Sequence, residues 1–262
     1  MIFGTRDSAI DVIRARVGTY AYGMGLGVML VDEVYPGFPG DVRNASAYPF
    51  PIQYDIVQGV DIDKLVFHEE KSACLEPILQ AARRLERIGC RAIVAECGGF
   101  AYFQKEVAAE VSVPVFMSSL LQVPFAQQMT GMSKKVGIVC AYREHLTEHH
   151  LVSCGIDPAS NLAVMGACDD YSCPEFDNLW NASKRPAIPT AGFARAETDF
   201  VSACKDFVSK NPDLRALVFI CTGFQPFARS VQREVGLPIF SWGTLLDYAF
   251  SIVSHRDYYG YV

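Results

Sequence analysis

The 262-residue chain lacks several things that would have decided its class at once. It has no run of Lys or Arg longer than two, and its net charge is −6. A nucleic-acid-binding face is normally a basic stripe, so nucleic acid and anionic membrane surfaces are not expected partners. It has no C-x-x-C pair, and its nine cysteines are odd in number and irregularly spaced. That excludes a disulfide framework and the common zinc-ribbon spacings. Cys168 and Cys173 stand five apart with no second pair to match them. The longest uncharged run, Val111 to Ser133, is broken by Pro114 and Pro124 and holds three Gln, so it reads as strand, turn and helix start and not as a membrane span. The first eighteen residues carry Arg6, Asp7, Asp11, Arg14 and Arg16, which interrupt any signal-peptide core. A cytoplasmic protein with reduced thiols is expected. Half of the residues are apolar, enough for one or two buried cores.

What is present is a repeat. "CGGFAYFQKEVAAEVSVPVF" from Cys97 and "CTGFQPFARSVQREVGLPIF" from Cys221 align without a gap, with nine of twenty positions identical. A short apolar run precedes each cysteine, "RAIVAE" and "RALVFI", of the kind that suits a parallel strand buried on both faces. A glycine-containing turn follows each, then a helical stretch (Gln104 to Val111, Ala228 to Val235), then "VPVF" or "LPIF" as the next strand. Upstream, "LGVMLV" (Leu26 to Val31) and "VGIVCA" (Val136 to Ala141) read as the first strands of two units. Leu75, Ile78, Leu79, Ala82, Leu85 and Ile88 share one helical face, which predicts a helix over about 72–88 closed by Gly89. Its counterpart is predicted over about 197–210, and Thr244 to His255 reads as a last amphipathic helix.

The expected fold is therefore α/β: two pseudo-symmetric Rossmann-like (flavodoxin-like) lobes, each with a parallel sheet of about four strands. Residues 1–120 would form the first lobe and 121–243 the second. A C-terminal helix of about 244–262 would pack back on the first. Open parallel sheets bind ligands beyond the carboxyl ends of their strands. Cys97 and Cys221 both stand at such ends, so the cleft between the lobes is the expected site. A thiol at a helix N-terminus is expected to have a lowered pKa. Two thiols on opposite sides of a carbon can run a two-base reaction, one taking a proton and the other returning one to the far face.

On these residues the chain resembles the aspartate/glutamate racemase superfamily, which includes amino-acid and hydantoin racemases, maleate isomerases and arylmalonate decarboxylases. The resemblance rests on "AECGGF" and "ICTGF", on "PGDVRN" after the first strand, and on "GIVCAYREHL" opening the second half. It implies a cofactor-independent racemase or epimerase acting at the α-carbon of an amino acid, hydantoin or related small carboxylate, with Cys97 and Cys221 as the acid/base pair. The decarboxylase branch keeps only the second cysteine; here both are present. The C-x-G form of both motifs is closer to hydantoin racemases. An isomerase or decarboxylase of the same superfamily, a non-catalytic binder and a metal- or thiol-dependent hydrolase are the alternatives.

The expected substrate contacts are Asn44, Gly98, Gly99, Ser118, Tyr142, Thr222 and Gly223. Backbone N–H groups of Gly98, Gly99, Thr222 and Gly223 are the oxyanion candidates. Asp32 and Glu33 lie where an activating carboxylate could reach Cys97. Glu96 should alternate to the other face of its strand. His145 to His150, "HLTEHH", has a zinc-peptidase spacing but reads as solvated helix histidines. Residues 165–195 read as a lid or an insertion. No metal and no cofactor are expected, and a homo-oligomer is the default for such an enzyme.

Overall fold

Apolar runs form the buried strands at the centre of two parallel sheets in this computed structural model, which describes Val12 and residues 17–258. The first half of the chain forms β1 (Leu26–Val31), β2 (Ile52–Val57), α1 (Ser72–Ile88), β3 (Ala92–Ala95), α2 (Gln104–Glu110) and β4 (Val115–Phe116). The second half forms α3 (Val123–Thr130), β5 (Lys135–Cys140), α4 (Glu148–Ser153), β6 (Leu162–Gly166), α5 (Pro174–Trp180), α6 (Phe193–Lys210), β7 (Leu214–Phe219), α7 (Ala228–Val235), β8 (Ile239–Phe240) and α8 (Trp242–Val253). The strand orders, β2-β1-β3-β4 and β6-β5-β7-β8, are the same, and every pairing is parallel. The two-lobe α/β fold expected from the repeat is present. The first and last described residues leave 1–11, 13–16 and 259–262 of the expected segments outside the described set.

The repeat is largely a packing repeat. Phe100, Phe103 and Val107 in the first copy and Phe224, Phe227 and Val231 in the second are all buried. They pin each post-cysteine turn and its helix onto the sheet. α1 buries Cys74, Ile78, Ala81, Ala82 and Leu85, the spacing of one helix face, and ends at Gly89 with φ +110°. α6 starts at Phe193, earlier than expected. α8 begins at Trp242 because Ser241 and Thr244 form a capping box there, and it ends at Val253. Trp242, Leu245, Leu246 and Ala249 pack with Leu26, Val28, Ala92 and Val94, so the last helix covers the outer face of the first sheet. Among the described residues no helix is long and apolar enough to cross a membrane.

The lobes meet where β3 and β7 end. A Cβ placed on Gly98 would lie 2.6 Å from the carbonyl oxygen of Ile220. That same carbonyl accepts the Trp242 indole N–H at 2.9 Å, and the Ser119 hydroxyl donates to Phe219 O at 2.5 Å. These bonds fix one cysteine turn against the other. Gly98→Ala is therefore expected to destabilise by about 1–3 kcal/mol, since overpacking against backbone cannot relax through a rotamer. Thermal unfolding should show a Tm lowered by roughly 2–10 °C; an unchanged Tm would mean that the lobe contact yields freely.

Candidate active site

Each cysteine is the last extended residue before a six-residue 3-10 turn, Gly98–Phe103 or Thr222–Phe227. The N–H of the glycine two residues on bonds back to the sulfur: Gly99 to Cys97, Gly223 to Cys221. Both thiols open onto one cavity between the lobes, together with Gly98, Gly99 and Thr222. The cavity walls are mostly apolar and aromatic. Tyr35 comes from the loop after β1, Tyr142 from the end of β5, and Trp180 from the end of α5.

The second wall of each lobe comes from the segment after its second strand. After β2, a π turn (Asp63–Phe67) brings Val66 to the cavity beside the Cys97 turn. After β6, α5 brings Trp180 against the Cys221 turn, where a Cβ on Gly223 would stand 2.8 Å from the indole. Gly223 thus makes room for Trp180, while its N–H serves the sulfur. α5 is fixed in place. The Tyr142 hydroxyl bonds Asp177, Asn181 donates to that hydroxyl at 2.8 Å, and Lys184 pairs with Asp177 at 3.0 Å. Beyond it, Arg185 reaches the other lobe and pairs with Glu33 at 2.5 Å. Residues 174–185 are a latched wall of the cavity. With its hydroxyl engaged, Tyr142 offers the cavity its ring.

Behind the cysteines lies a buried charge cluster supplied by "PGDVRN". Glu96 is fully buried and accepts from Val31 N (3.0 Å), Tyr35 Oη (3.2 Å) and Arg43 (2.7 Å). The Arg43 guanidinium lies 4.0 Å over the Tyr35 ring, so one ion pair orients a cavity wall. Asp41, also buried, accepts from Arg43 N at 2.9 Å and bonds Thr222; burial pushes its carboxyl up to about 7. Among the other expected residues, Asn44 caps a short turn through Ser46, and Ser118 accepts Leu120 N at 3.2 Å; neither borders the cavity. Asp32 accepts from Gly59 N and Glu33 from Ile62 N, so both support loops and not Cys97.

The thiol electrostatics differ from the expectation of a lowered pKa. Burial, then the Glu96 charge, pushes Cys97 up to about 12, against the pull of the Gly99 N–H, Arg43 and Lys71. Burial, then Cys97, pushes Cys221 well above the ordinary thiol value, with Asp41 and Cys168 adding to it and only the Gly223 N–H opposing. One short turn offers too few aligned dipoles to outweigh desolvation. The histidines are also unlike the expectation. His145 and His150 border the cavity, and His150 is buried, its Nδ1 accepting Thr147 N at 3.2 Å. His149 stacks on Tyr102. No group of three or more His, Cys, Asp or Glu among the described residues is arranged to hold a metal ion. Tyr35, Trp180, His150 and the Arg43–Glu96 pair were not singled out as site residues by sequence; Trp180 is one of only two tryptophans, which was the available signal.

No protein-family model matches the chain. A dimethylsulfoniopropionate lyase of Durusdinium sp. clade D is 30% identical over 224 residues, covering 82% of this chain and 70% of that protein. Dimethylsulfoniopropionate lyase 3 of Emiliania huxleyi is 27% identical over 222 residues, covering 82% of this chain and 56% of that protein. The chain thus spans a little over half to about seven-tenths of the length of these curated relatives. Among solved structures, the allantoin racemase of Klebsiella pneumoniae superposes with a TM-score of 0.58 at 14% identity, covering 88% of this chain and 87% of that one. Unliganded arylmalonate decarboxylase gives 0.55 at 15% identity, covering 89% and 94%. The fold is that of the aspartate/glutamate racemase superfamily.

Two outcomes follow from the buried charges. Glu96→Ala leaves the Arg43 guanidinium without its carboxylate and should cost about 3–5 kcal/mol, measured by urea unfolding; a cost below 1 kcal/mol would mean the pair is not buried as described. His150 is held down to about 4, from an ordinary 6.5, by burial, Lys71 and His149. A depressed folded pKa gives stability that is complete above 6.5 and is lost as pH falls from 6.5 through about 4. His150→Asn, which keeps an acceptor for Thr147, should flatten the pH dependence of unfolding in that window relative to the parent protein.

Proposed function

Because this chain belongs to the dimethylsulfoniopropionate lyase family, we propose that its cavity takes a small carboxylate carrying a sulfonium group on the β-carbon and eliminates that group. The reaction is a proton abstraction followed by C–S cleavage. A thiolate takes a proton from the carbon next to the carboxylate. The electron pair left on that carbon becomes the new C=C bond, and the C–S pair leaves with sulfur as neutral dimethyl sulfide. Acrylate remains, and the proton passes from the thiol to solvent.

The observation that carries this reading is the aromatic wall around two half-buried thiols. Tyr35, Tyr142 and Trp180 border a largely apolar cavity. Aromatic faces attract organic cations that hydrate weakly, with about 2 kcal/mol or more available once the site is desolvated. A sulfonium there also brings a positive charge beside the two thiols. Both thiols are held protonated by burial, so a cation entering the cavity favours the thiolate just when it is needed. The N–H groups of Gly98 and Thr222 open their turns and have no acceptor within them, which suits the substrate carboxylate. Negative charge grows on that carboxylate as the proton leaves, so donors there favour the transition state.

Racemisation, expected from the sequence, and elimination share their first step. They part when the carbanion forms. With no leaving group, a second thiol returns a proton to the other face. With a β-sulfonium, expulsion of dimethyl sulfide comes first. The second cysteine then serves as a thiol donor toward the developing negative charge.

The test is incubation with dimethylsulfoniopropionate, reading dimethyl sulfide by headspace gas chromatography and acrylate by NMR. Equal amounts of both products are expected. Alanine at either cysteine should lower the rate by about 10²–10⁴-fold, and Trp180→Leu should raise KM more than it lowers kcat. Exchange of α-protons in amino acids or hydantoins with loss of optical activity, and no dimethyl sulfide, would instead establish racemisation.

A further inference from the structure

The proposed reaction leaves the "HLTEHH" stretch unused, yet its last histidine borders the cavity. His150 is 3% exposed and lies in the first turn of α4. Among the described residues its side-chain hydrogen bonds are both made at Nδ1, which accepts the Thr147 backbone N–H at 3.2 Å and lies 2.8 Å from the Thr147 hydroxyl. A backbone N–H can only donate, so Nδ1 carries no proton and the neutral ring holds its proton on Nε2. The ring stays neutral because burial, then Lys71 and His149, hold it down to about 4. No described residue accepts the Nε2–H. The side-chain atoms that are both enclosed and unbonded are Arg43 Nε, Glu106 Oε2 and Arg185 Nη1. His150 Nε2 is not among them, so it opens onto free space, and the free space at this buried ring is the cavity.

The hydroxyls of the cavity are already engaged. Tyr35 Oη donates to Glu96, the Tyr142 hydroxyl bonds Asp177, and Thr222 bonds Asp41. The other histidine, His145, lies 3.4 Å from the exposed Glu144 carboxylate. Among the described residues no Lys or Arg borders the cavity. We propose that His150 is a carboxylate-binding residue that presents a fixed, neutral Nε2–H to the acid group of the ligand. This inference rests on the reading that the cavity takes a small carboxylate, and it adds a side chain that recognises that group beside the N–H groups of Gly98 and Thr222. Neutrality is what the other end of the ligand demands. A Lys or Arg would hold the carboxylate by charge but repel a sulfonium in the same cavity. An uncharged N–H bonds the carboxylate and leaves the aromatic faces to the cation. The ligand class that fits is a small zwitterion with one acid end and one weakly hydrated cationic end. The same donor serves the reaction. Proton loss beside the carboxylate builds negative charge on its oxygens, and a neutral imidazole can polarise such a group.

Two-bond proton–nitrogen NMR spectra of the full chain, labelled at histidine nitrogen, test this without turnover. The Nε2–H tautomer is expected at His150 at neutral pH. Propionate, which has the acid group and no leaving group, should shift the His150 Nε2–H signal, and propionamide, its uncharged analogue, should shift it far less. An Nδ1–H tautomer, or a signal that propionate leaves in place at every concentration, would overturn the proposal. His150→Asn keeps an acceptor for Thr147 and removes the cavity donor. It should lower kcat/KM for dimethylsulfoniopropionate by about 10–100-fold, the range of a lost hydrogen bond to a charged group. His150→Gln, whose amide reaches toward the Nε2 position, should recover part of that loss. Unchanged kcat/KM in His150→Asn counts against the proposal as firmly as a missing shift. Circular dichroism establishes that the variants fold; if they do not, the tautomer and the propionate shift of the parent protein decide. A propionate shift without dimethyl sulfide release overturns the proposed reaction and leaves the carboxylate site standing, so the two fail separately.

Discussion

The carbonyl oxygen of Ile220 comes so close to Gly98 that only a residue without a side chain fits between the lobes there. Around that contact the site takes its shape. β3 and β7 end on either side of it, so the two cysteines that follow those ends must face a common space. Trp242 reaches the same carbonyl from the far helix, and Ser119 bonds its neighbour Phe219. The result is a seam stitched by backbone acceptors, which tolerate little movement. A cavity set on such a seam keeps its two thiols in fixed relation, as proton transfer requires.

Burial creates the second constraint. A cavity dry enough to strengthen electrostatics also opposes any charge placed in it. The chain answers by matching charges behind the walls: Glu96 with Arg43, Glu33 with Arg185, Asp177 with Lys184. Each pair also holds a wall. Arg43 lies on Tyr35, Glu33 and Arg185 latch the α5 segment to the first lobe, and Asp177 holds the Tyr142 hydroxyl. The aromatic rings are thus positioned by ion pairs, of which only the Glu96 carboxylate borders the cavity. What borders the cavity is mostly apolar and aromatic surface with the two thiols, and its few polar groups are Glu96, His145, His150 and Thr222.

Much of the architecture was legible because it is periodic. Val- and Ile-rich runs, the helical spacing in α1 and the gapless repeat each carry their own geometry. Cys97 and Cys221 were legible for the same reason, as equivalent points of a repeat. The walls were not, because they come from segments the repeat does not contain. Trp180 follows β6 at a distance no periodicity sets, and Tyr35 and Arg43 lie in an irregular loop. His150 reads as a polar helix residue, yet tertiary packing buries it. The thiol pKa direction was missed for a physical reason: a turn's dipole is visible in sequence, and the desolvation that outweighs it is not. The glycines of the C-x-G motifs were singled out for close approach to a ligand. At Gly223 the close neighbour is Trp180, and the backbone N–H is turned to the sulfur.

A duplicated scaffold places two equal groups, and its loops are then free to make them unequal. The identities between the copies fall on Phe100, Phe103 and Val107 and on Phe224, Phe227 and Val231, which pack the turns. The differences fall on what surrounds the sulfurs. Asp41 bonds Thr222 beside Cys221, while Gly98 occupies the matching place beside Cys97. Symmetric neighbours would suit a reaction that runs equally in both directions through either face, because each thiol must then hold and release a proton with similar ease. Unequal neighbours suit a reaction with one base and one donor. The packing that repeats keeps the two cysteines in equivalent places, and the loops that do not repeat give them unlike surroundings.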